Sequence, residues 1–522
     1  MESVDIYVRR AQSGDLNAYS ELVRRYQNMA VAYRESTEQP EAFWAEIAKD
    51  FHWFHPWKQV RQFNYDLRRG PIKSQWFSGA TTNMAYNCID RHLETQADQP
   101  ALIWEGHDPA QSRTVTYRDL HEKVCQCGNV LKTLGVKRGG AVTLYLPGIL
   151  ELPIAMLACA RIGAVHNVVH CAFDAAKLAN SLISSQSRIL ITASGTRSEE
   201  VPLLQTANEA IRLATDKGAK VETIVFEREG FTIDHHTDHL WADLLTNADT
   251  TCPTEPIDAE APLFTLFMQN ASGSAKSIAH STGGYMVYAA FTHKTIFDHH
   301  NGDIFFCVAD IGWITGHSYA VYGPLLNGGT TLITEIDPKH TPDRYWQLID
   351  AHQVTQFYTS PSHIRRMIDT ANPDDFDLSS LKTIGTVGEP ILPEAWQWVH
   401  QHIGHECCPI VDTWWQTESG GILISSFPGA TPTKPGAAGL PLFGVKPAIL
   451  DPKTGQELQG NNVEGLLAIA EPWPGQMHTL HNHRDQCEET YFKPYPGYYF
   501  TGDHCRRDAD GYYWILGRTP GQ

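Results

Sequence analysis

Apolar and polar positions along this chain fall into blocks that read as strands followed by helices. AVTLYLP (Ala141–Pro147) is a short, nearly continuous apolar run closed by a proline, which predicts a buried strand. LPIAMLACARIGAV (Leu152–Val165) is longer and predicts the helix that follows it. NVVH (Asn167–His170), RILITA (Arg188–Ala193), ETIVFE (Glu222–Glu227) and PLFTLFM (Pro262–Met268) read as further strands. Strands alternating with helices predict a largely parallel sheet with crossover helices, an α/β fold class. The glycine pair in STGGY (Ser281–Tyr285) reads as a turn after the last of these strands.

The two ends of the chain have a different texture. Over residues 3–33, VDIYVRRAQ, the turn SGD and LNAYSELVRRYQNMAVAY predict a helical hairpin, so residues 1–36 are expected to form a helical extension. AQSGDLNAYSELVRRYQ (Ala11–Gln27) resembles the opening of extracytoplasmic-function sigma factors, whose promoter-reading parts do not follow. A pair of capping helices with Arg9-Arg10 and Arg24-Arg25 on solvated faces is the preferred reading; a tether to RNA polymerase is the other. Gly/Pro-rich punctuation at SFPGATPTKPGAAGLP (Ser426–Pro441) marks a boundary. Residues 37–440 are therefore expected to form an α/β domain, and 441–522 a small β-rich one. No internal repeat is present.

Length supports that division, since 522 residues exceed one ordinary core. With 41 basic against 59 acidic residues, a net −18, a nucleic-acid backbone is disfavoured as the main partner. A small anion held by a local pocket or by backbone N–H groups is not. Eleven scattered cysteines without a CxxC pattern or a secretory signal point to reduced thiols in the cytoplasm. The apolar stretch Leu152–Val169 is broken by Arg161 and His166 and is too polar to span a bilayer. Two histidine clusters, His293/His299/His300 and His478/His481/His483, lack carboxylates or cysteines at ligand spacing, so loop histidines are expected there rather than a metal site.

Candidate chemistry begins at ASGSAKSIAH (Ala271–His280), where small residues after a strand suggest a loop that approaches a phosphate. Alone it is a weak signal, and it is not the GxxxxGK[ST] loop. Four further segments change the weighing: DIGWITGHSYAVYGPL (Asp310–Leu325), TVGEPILPEAW (Thr386–Trp396), VDTWWQTESGG (Val411–Gly421) and YFTGDHCRRDADGYYWILGR (Tyr499–Arg518). In these segments the chain resembles the acyl- and aryl-CoA synthetases of the adenylate-forming superfamily, and within them the acetyl-CoA synthetases. The resemblance runs from about residue 40 to Arg518 with its motifs in order.

That resemblance implies the superfamily's large N-terminal domain: two doubly wound α/β subdomains and a small β-rich subdomain. It implies ATP, Mg2+ and CoA as co-substrates or cofactor, and acetate as the acid activated. Ser272, Gly273, Ser274 and Lys276 match the phosphate loop. Gly388, Glu389 and Pro390, with Asp412, Thr413, Trp414, Trp415, Gln416 and Thr417, match the nucleotide-binding elements. Thr417 would place a hydroxyl near the α-phosphate, and Glu418 would hold Mg2+ with a hard oxygen. Asp503 and Arg518 match the ribose-contacting pair. Ile314, Thr315, Val387 and Trp415 would line the acetate pocket, and Trp415 would exclude longer tails sterically. Arg197, Trp313 and Thr315 match the CoA side.

The chain also departs from the family. Its phosphate loop is shorter, lacking hydroxyls, glycines and a lysine, and losing even one well-placed donor can cost on the order of 3 kcal/mol. The family's Phe-Gly-Gly-Phe turn is His170-Cys171-Ala172-Phe173, and TRSEE (Thr196–Glu200) puts an acid where the CoA phosphate is expected. The sequence stops at RTPGQ (Arg518–Gln522), where the family continues into a mobile C-terminal domain carrying a catalytic lysine. Two readings follow: an acetate-activating ligase of reduced rate, or a non-catalytic relative that binds nucleotide or acyl-adenylate and acts in regulation.

Overall fold

The computed structural model describes residues 16–196, 201–231, 233, 238–269, 275–336, 341–480 and 484–519. Among them two large sheets and one small one carry the architecture. The eight-stranded sheet has Ala141–Tyr145 near its middle, flanked by Ile189–Ala193 and Val165–Val168 in parallel. Toward one side comes the antiparallel hairpin Pro262–Gln269 and Ala275–Ser281, which straddles the expected phosphate-loop position, and the short strand Thr479–Leu480 forms the edge beyond it. The nine-stranded sheet has a parallel centre that includes Gln356–Thr359, Thr383–Val387 and Ile410–Trp414. Four antiparallel strands, Pro447–Leu450, Val463–Ile469, Tyr499–Arg507 and Tyr513–Arg518, form the small sheet.

Local chemistry accounts for the element boundaries. Thr116 opens the helix Tyr117–Thr133 through a capping box, its hydroxyl bonding the Asp119 N–H while the Asp119 carboxylate reaches back. The helix Glu151–Ile162 is buried along its whole length. The buried Arg161 within it is neutralised by Asp90 through bonds of 2.7 and 3.0 Å. The helix stops at Gly163 in a left-handed conformation, φ +71°, where a Cβ would sit 2.3 Å from Ile257 Cδ1. No described helix is long and apolar enough to cross a membrane. All eleven cysteines are free thiols.

Several expectations need adjusting. The glycine pair of STGGY is not a turn: Gly283 and Gly284 lie in the first turn of the helix Thr282–Ile296, with Ser281 at its N-cap. Tertiary packing selects glycine there, because a Cβ on Gly284 would lie 2.4 Å from the Pro474 carbonyl oxygen and one on Gly283 2.8 Å from Ala259 Cβ. The strand expected over Asn167–His170 runs Val165–Val168, which frees His170 to turn toward a cavity. The second helix of the N-terminal pair spans Leu16–Glu38, and residues 1–15 of the expected hairpin lie outside the described residues. Its last turns dock on the body, the Tyr33 hydroxyl donating to the Val445 carbonyl at 3.0 Å and the Gly444 N–H to Ser36 Oγ at 2.7 Å.

Candidate active site

The strands Thr383–Val387 and Ile410–Trp414 are adjacent and parallel, so their carboxyl ends open on the same edge of the nine-stranded sheet. Ligands in open α/β sheets bind at such edges. Val387 ends one strand, and Gly388 at φ +96° turns the chain into Glu389 and Pro390. Asp412, Thr413, Trp414 and Trp415 come from the neighbouring strand end. Across from them the small sheet contributes Asp503 and Arg518, which face each other in antiparallel register. Together these residues line a cavity of about 210 Å3, with Gly436, Ala438, Ile515 and Gly517 completing the wall.

Burial sets the electrostatics of this cavity. It pushes the Asp412 carboxyl up to about 7, despite a 2.8 Å bond from the Thr386 hydroxyl and one from the Thr413 N–H. It likewise raises Asp503 to about 6, with Arg518 pulling the other way from 3.2 Å. Gln416 does not line the cavity. Its amide donates to Asp503 Oδ2 at 2.8 Å and to the Thr501 carbonyl at 2.7 Å, so it holds Asp503 from behind. Trp415 lies edge-on to Tyr319 at 5.2 Å and donates from Nε1 to the Tyr358 hydroxyl at 3.2 Å.

A second, larger cavity of about 810 Å3 lies on the other side of Val387 and Gly388. Gly388 lines both cavities. Thr315 and Trp313 border the larger one, whereas Ile314 is packed into the main core. Trp313 is 43% exposed, a poor fit for core packing, and His170 stands 5.4 Å from it ring to ring. His170 Nδ1 accepts from the Ala172 N–H at 3.0 Å, and Nε2 lies 3.6 Å from the Asp310 carboxylate. Thr315 passes directly into a wide π-helical stretch, Gly316–Tyr322, a conformation that recurs at functional sites.

A third group, which holds the residues expected on the phosphate side, is built around Glu418. It sits in the short 3-10 turn Thr417–Ser419, whose Thr417 carbonyl lies 2.8 Å from His280 Nε2. Lys276 brings its ammonium to 2.6 Å from Glu418 Oε1, and the Tyr491 hydroxyl donates to the same oxygen. Burial alone would raise the Glu418 carboxyl, but the Lys276 charge and these two hydrogen bonds outweigh it and hold the group below the usual carboxylate range. Of the expected loop residues, Ser272, Gly273 and Ser274 lie outside the described residues, as do Arg197 and the rest of RSEE. Residues Pro520–Gln522 do too.

The structure thus gathers Gly388–Pro390, Asp412–Trp415, Asp503 and Arg518 at one cavity, and Val387, Thr315 and Trp313 at the other. Thr417, Glu418 and Lys276 form a third group beside them. Sequence reading missed Tyr491, His280 and Tyr358. Tyr491 lies in an ordinary amphipathic helix end, ETYFKP, with no local signal. Among the described residues no group of three or more His, Cys, Asp or Glu side chains is placed to hold a metal ion. His293 and His299 pack 4.8 Å apart in the interior; His481 and His483 lie outside the described residues.

Comparison with known proteins shows the family to which this fold belongs. The profile of the AMP-binding enzyme family covers residues 89–478, and that of the acetyl-coenzyme A synthetase N-terminus covers 29–88. The chain is 49% identical over 503 residues to the acetyl-coenzyme A synthetase of Beijerinckia indica subsp. indica, spanning 95% of this chain and 76% of that protein. It is 48% identical over 502 residues to acetyl-coenzyme A synthetase 2 of Pseudomonas aeruginosa, with 93% and 75% covered. The solved structure of the acetoacetyl-CoA synthetase from Streptomyces lividans superposes with a TM-score of 0.85 at 26% identity, over 93% of this chain and 74% of that one. On these matches the chain belongs to the AMP-binding enzymes, in the acetyl-coenzyme A synthetase family.

Proposed function

We propose that this chain activates acetate with ATP and passes the acetyl group to CoA. An acetate oxygen attacks the α-phosphorus of ATP and expels pyrophosphate, giving acetyl-adenylate. The CoA thiol then attacks the acetyl carbonyl carbon, AMP leaves, and the thiol proton goes to solvent or to a base. The observation that carries this reading is the shared wall at Gly388: a nucleotide in the smaller cavity and an acid or thiol in the larger one meet at a single backbone position.

In this reading Asp503 accepts from the ribose hydroxyls, with Gln416 and Arg518 fixing its orientation. Thr417 directs a hydroxyl at the α-phosphate. Trp415 stands in the wall of the smaller cavity, braced on Tyr319 and Tyr358, and in this reading limits the acid to a short tail from the nucleotide side of the Gly388 seam. Trp313 and His170 flank the entry of the pantetheine arm. Mg2+ fits Glu418, a buried carboxylate kept ionised and presented on a fixed turn, and would supply charge neutralisation at the phosphates. The eleven free thiols suit the reducing cytoplasm, where we place the protein.

Acetate-dependent exchange of pyrophosphate into ATP tests the first step. Exchange well above an acetate-free control is expected, and Asp503→Asn should lower it by about two orders of magnitude. No exchange, with ATP still raising the melting temperature, would favour the non-catalytic reading instead. Trp415→Gly should extend activation to longer carboxylic acids; a variant still confined to acetate would remove Trp415 from the acid pocket.

A further inference from the structure

Glu418 stands on a pedestal that leaves its backbone no freedom. Its own carbonyl accepts from the Met477 N–H at 2.7 Å, and the next carbonyl, of Ser419, accepts from Trp473 Nε1 at 2.8 Å. Gly420 closes the turn at φ +68°, where a Cβ would lie 2.2 Å from the Gly475 carbonyl oxygen. Tyr491 is equally fixed, its ring stacked on Tyr499 with centroids 5.4 Å apart and planes 9° from parallel. Lys276 differs. Its side chain is 32% exposed and reaches in from the second residue of the strand Ala275–Ser281, directly after the expected phosphate-loop position. Its ammonium lies 2.6 Å from Glu418 Oε1 and 2.9 Å from the Tyr491 hydroxyl.

We propose that Lys276 is a resident cation that guards Glu418 and yields it only when a divalent metal arrives with phosphate. Two donors already occupy Oε1, and only one of them is both charged and free to swing away. A bare divalent ion must displace the ammonium and leave it without a partner. A metal bound to a triphosphate brings the partner with it, because the released ammonium can pair with phosphate oxygen. Each positive charge then keeps an anion throughout the exchange. Lys276 acts here as a positioning residue that couples metal entry to nucleotide entry. The inference rests on reading Glu418 as the metal-bearing carboxylate.

Terbium(III) tests it without nucleotide or acetate. The ion seeks carboxylates and luminesces when excited through a nearby tyrosine, and Tyr491 touches Glu418. Lys276→Met and Lys276→Gln should each lower the half-saturating terbium concentration by at least about tenfold relative to wild type, the scale on which a close opposite charge shifts a carboxylate's occupancy. Adding Glu418→Gln to either variant should abolish the gain, which separates this carboxylate from the acidic surface. Unchanged terbium affinity in whichever Lys276 variant folds, or a gain that survives Glu418→Gln, overturns the proposal. Because the titration contains no substrate, its failure leaves the pyrophosphate-exchange result standing, and the reverse holds.

Discussion

Asp412 is 8% exposed and its carboxyl sits near 7, so at neutral pH the smaller cavity holds a carboxylate that burial disfavours. Unfolded, the group ionises near 3.8. Below that value both states are protonated and nothing is lost. As pH rises through the interval up to about 7, the folded state retains a proton that the unfolded state gives up, so stability falls and then levels. Asp412→Asn lacks this penalty. In thermal denaturation without nucleotide, its melting temperature should therefore pull ahead of wild type between about pH 4 and 7 and hold a constant lead above that, equivalent to a few kcal/mol of stability at the plateau. A lead that does not change with pH would mean that burial does not raise the group.

Gln416 makes a different case at the same scale. It touches Asp503 and not the cavity, so its removal should act through orientation. Gln416→Ala is expected to raise the KM for ATP by roughly tenfold, the worth of one hydrogen bond to a charged group, while the KM for acetate stays put. Equal loss for both substrates would mean a collapsed site. Asp503 and Arg518 were legible because each sits in a short, ordered motif. Tyr491 and His280 were not, since the contacts that matter, with Glu418 and the Thr417 carbonyl, join residues 73 and 137 positions apart in sequence.

At the scale of elements, strands such as Ala141–Tyr145, Ile189–Ala193 and Pro262–Gln269 could be read from apolar runs and the helix Glu151–Ile162 from its greater length, whereas Ala275–Ser281, a strand in the structure, read as loop from its small residues. Glycine was the weak point. Rules for turns treat Gly-Gly as a local signal, yet Gly283 and Gly284 answer to Ala259 and Pro474, which sequence cannot place beside them. Gly420 shows both demands at once, a left-handed φ and a carbonyl within 2.2 Å of any Cβ. Gly420→Ala should destabilise the fold by a few kcal/mol, measurable in urea unfolding. Any folded remainder should carry Glu418 out of reach of Lys276. Unfolding at the wild-type midpoint would show that the turn relaxes without cost.

A buried ion pair joins segments that follow strands of the two large sheets. Arg228 follows the strand Glu222–Phe226 of the eight-stranded sheet, and Glu335 follows Thr330–Thr334 of the nine-stranded sheet. Their side chains are 6% and 2% exposed, and the guanidinium grips the carboxylate with two hydrogen bonds, one of 2.6 Å from Nη1. Removing one member strands a buried charge, so Arg228→Met should cost about 3–5 kcal/mol in denaturant unfolding. Arg228→Met with Glu335→Leu should recover most of that loss; no recovery would make Arg228 a packing residue foremost. Nothing in the sequence marks this pair, whose members lie 107 positions apart.

Gly388, common to both cavities, has a consequence for the fate of the mixed anhydride. In the proposed function, an acetyl-adenylate formed at that seam would already lie where the thiol arrives, so it would have no journey to make and its chief competitor for the acyl group would be water. The loss to water would then depend on the opening where Trp313 stands exposed. Trp313→Ala should raise the leak, read as AMP released per pyrophosphate released when CoA is withheld, in a chain that would then burn ATP to regenerate acetate.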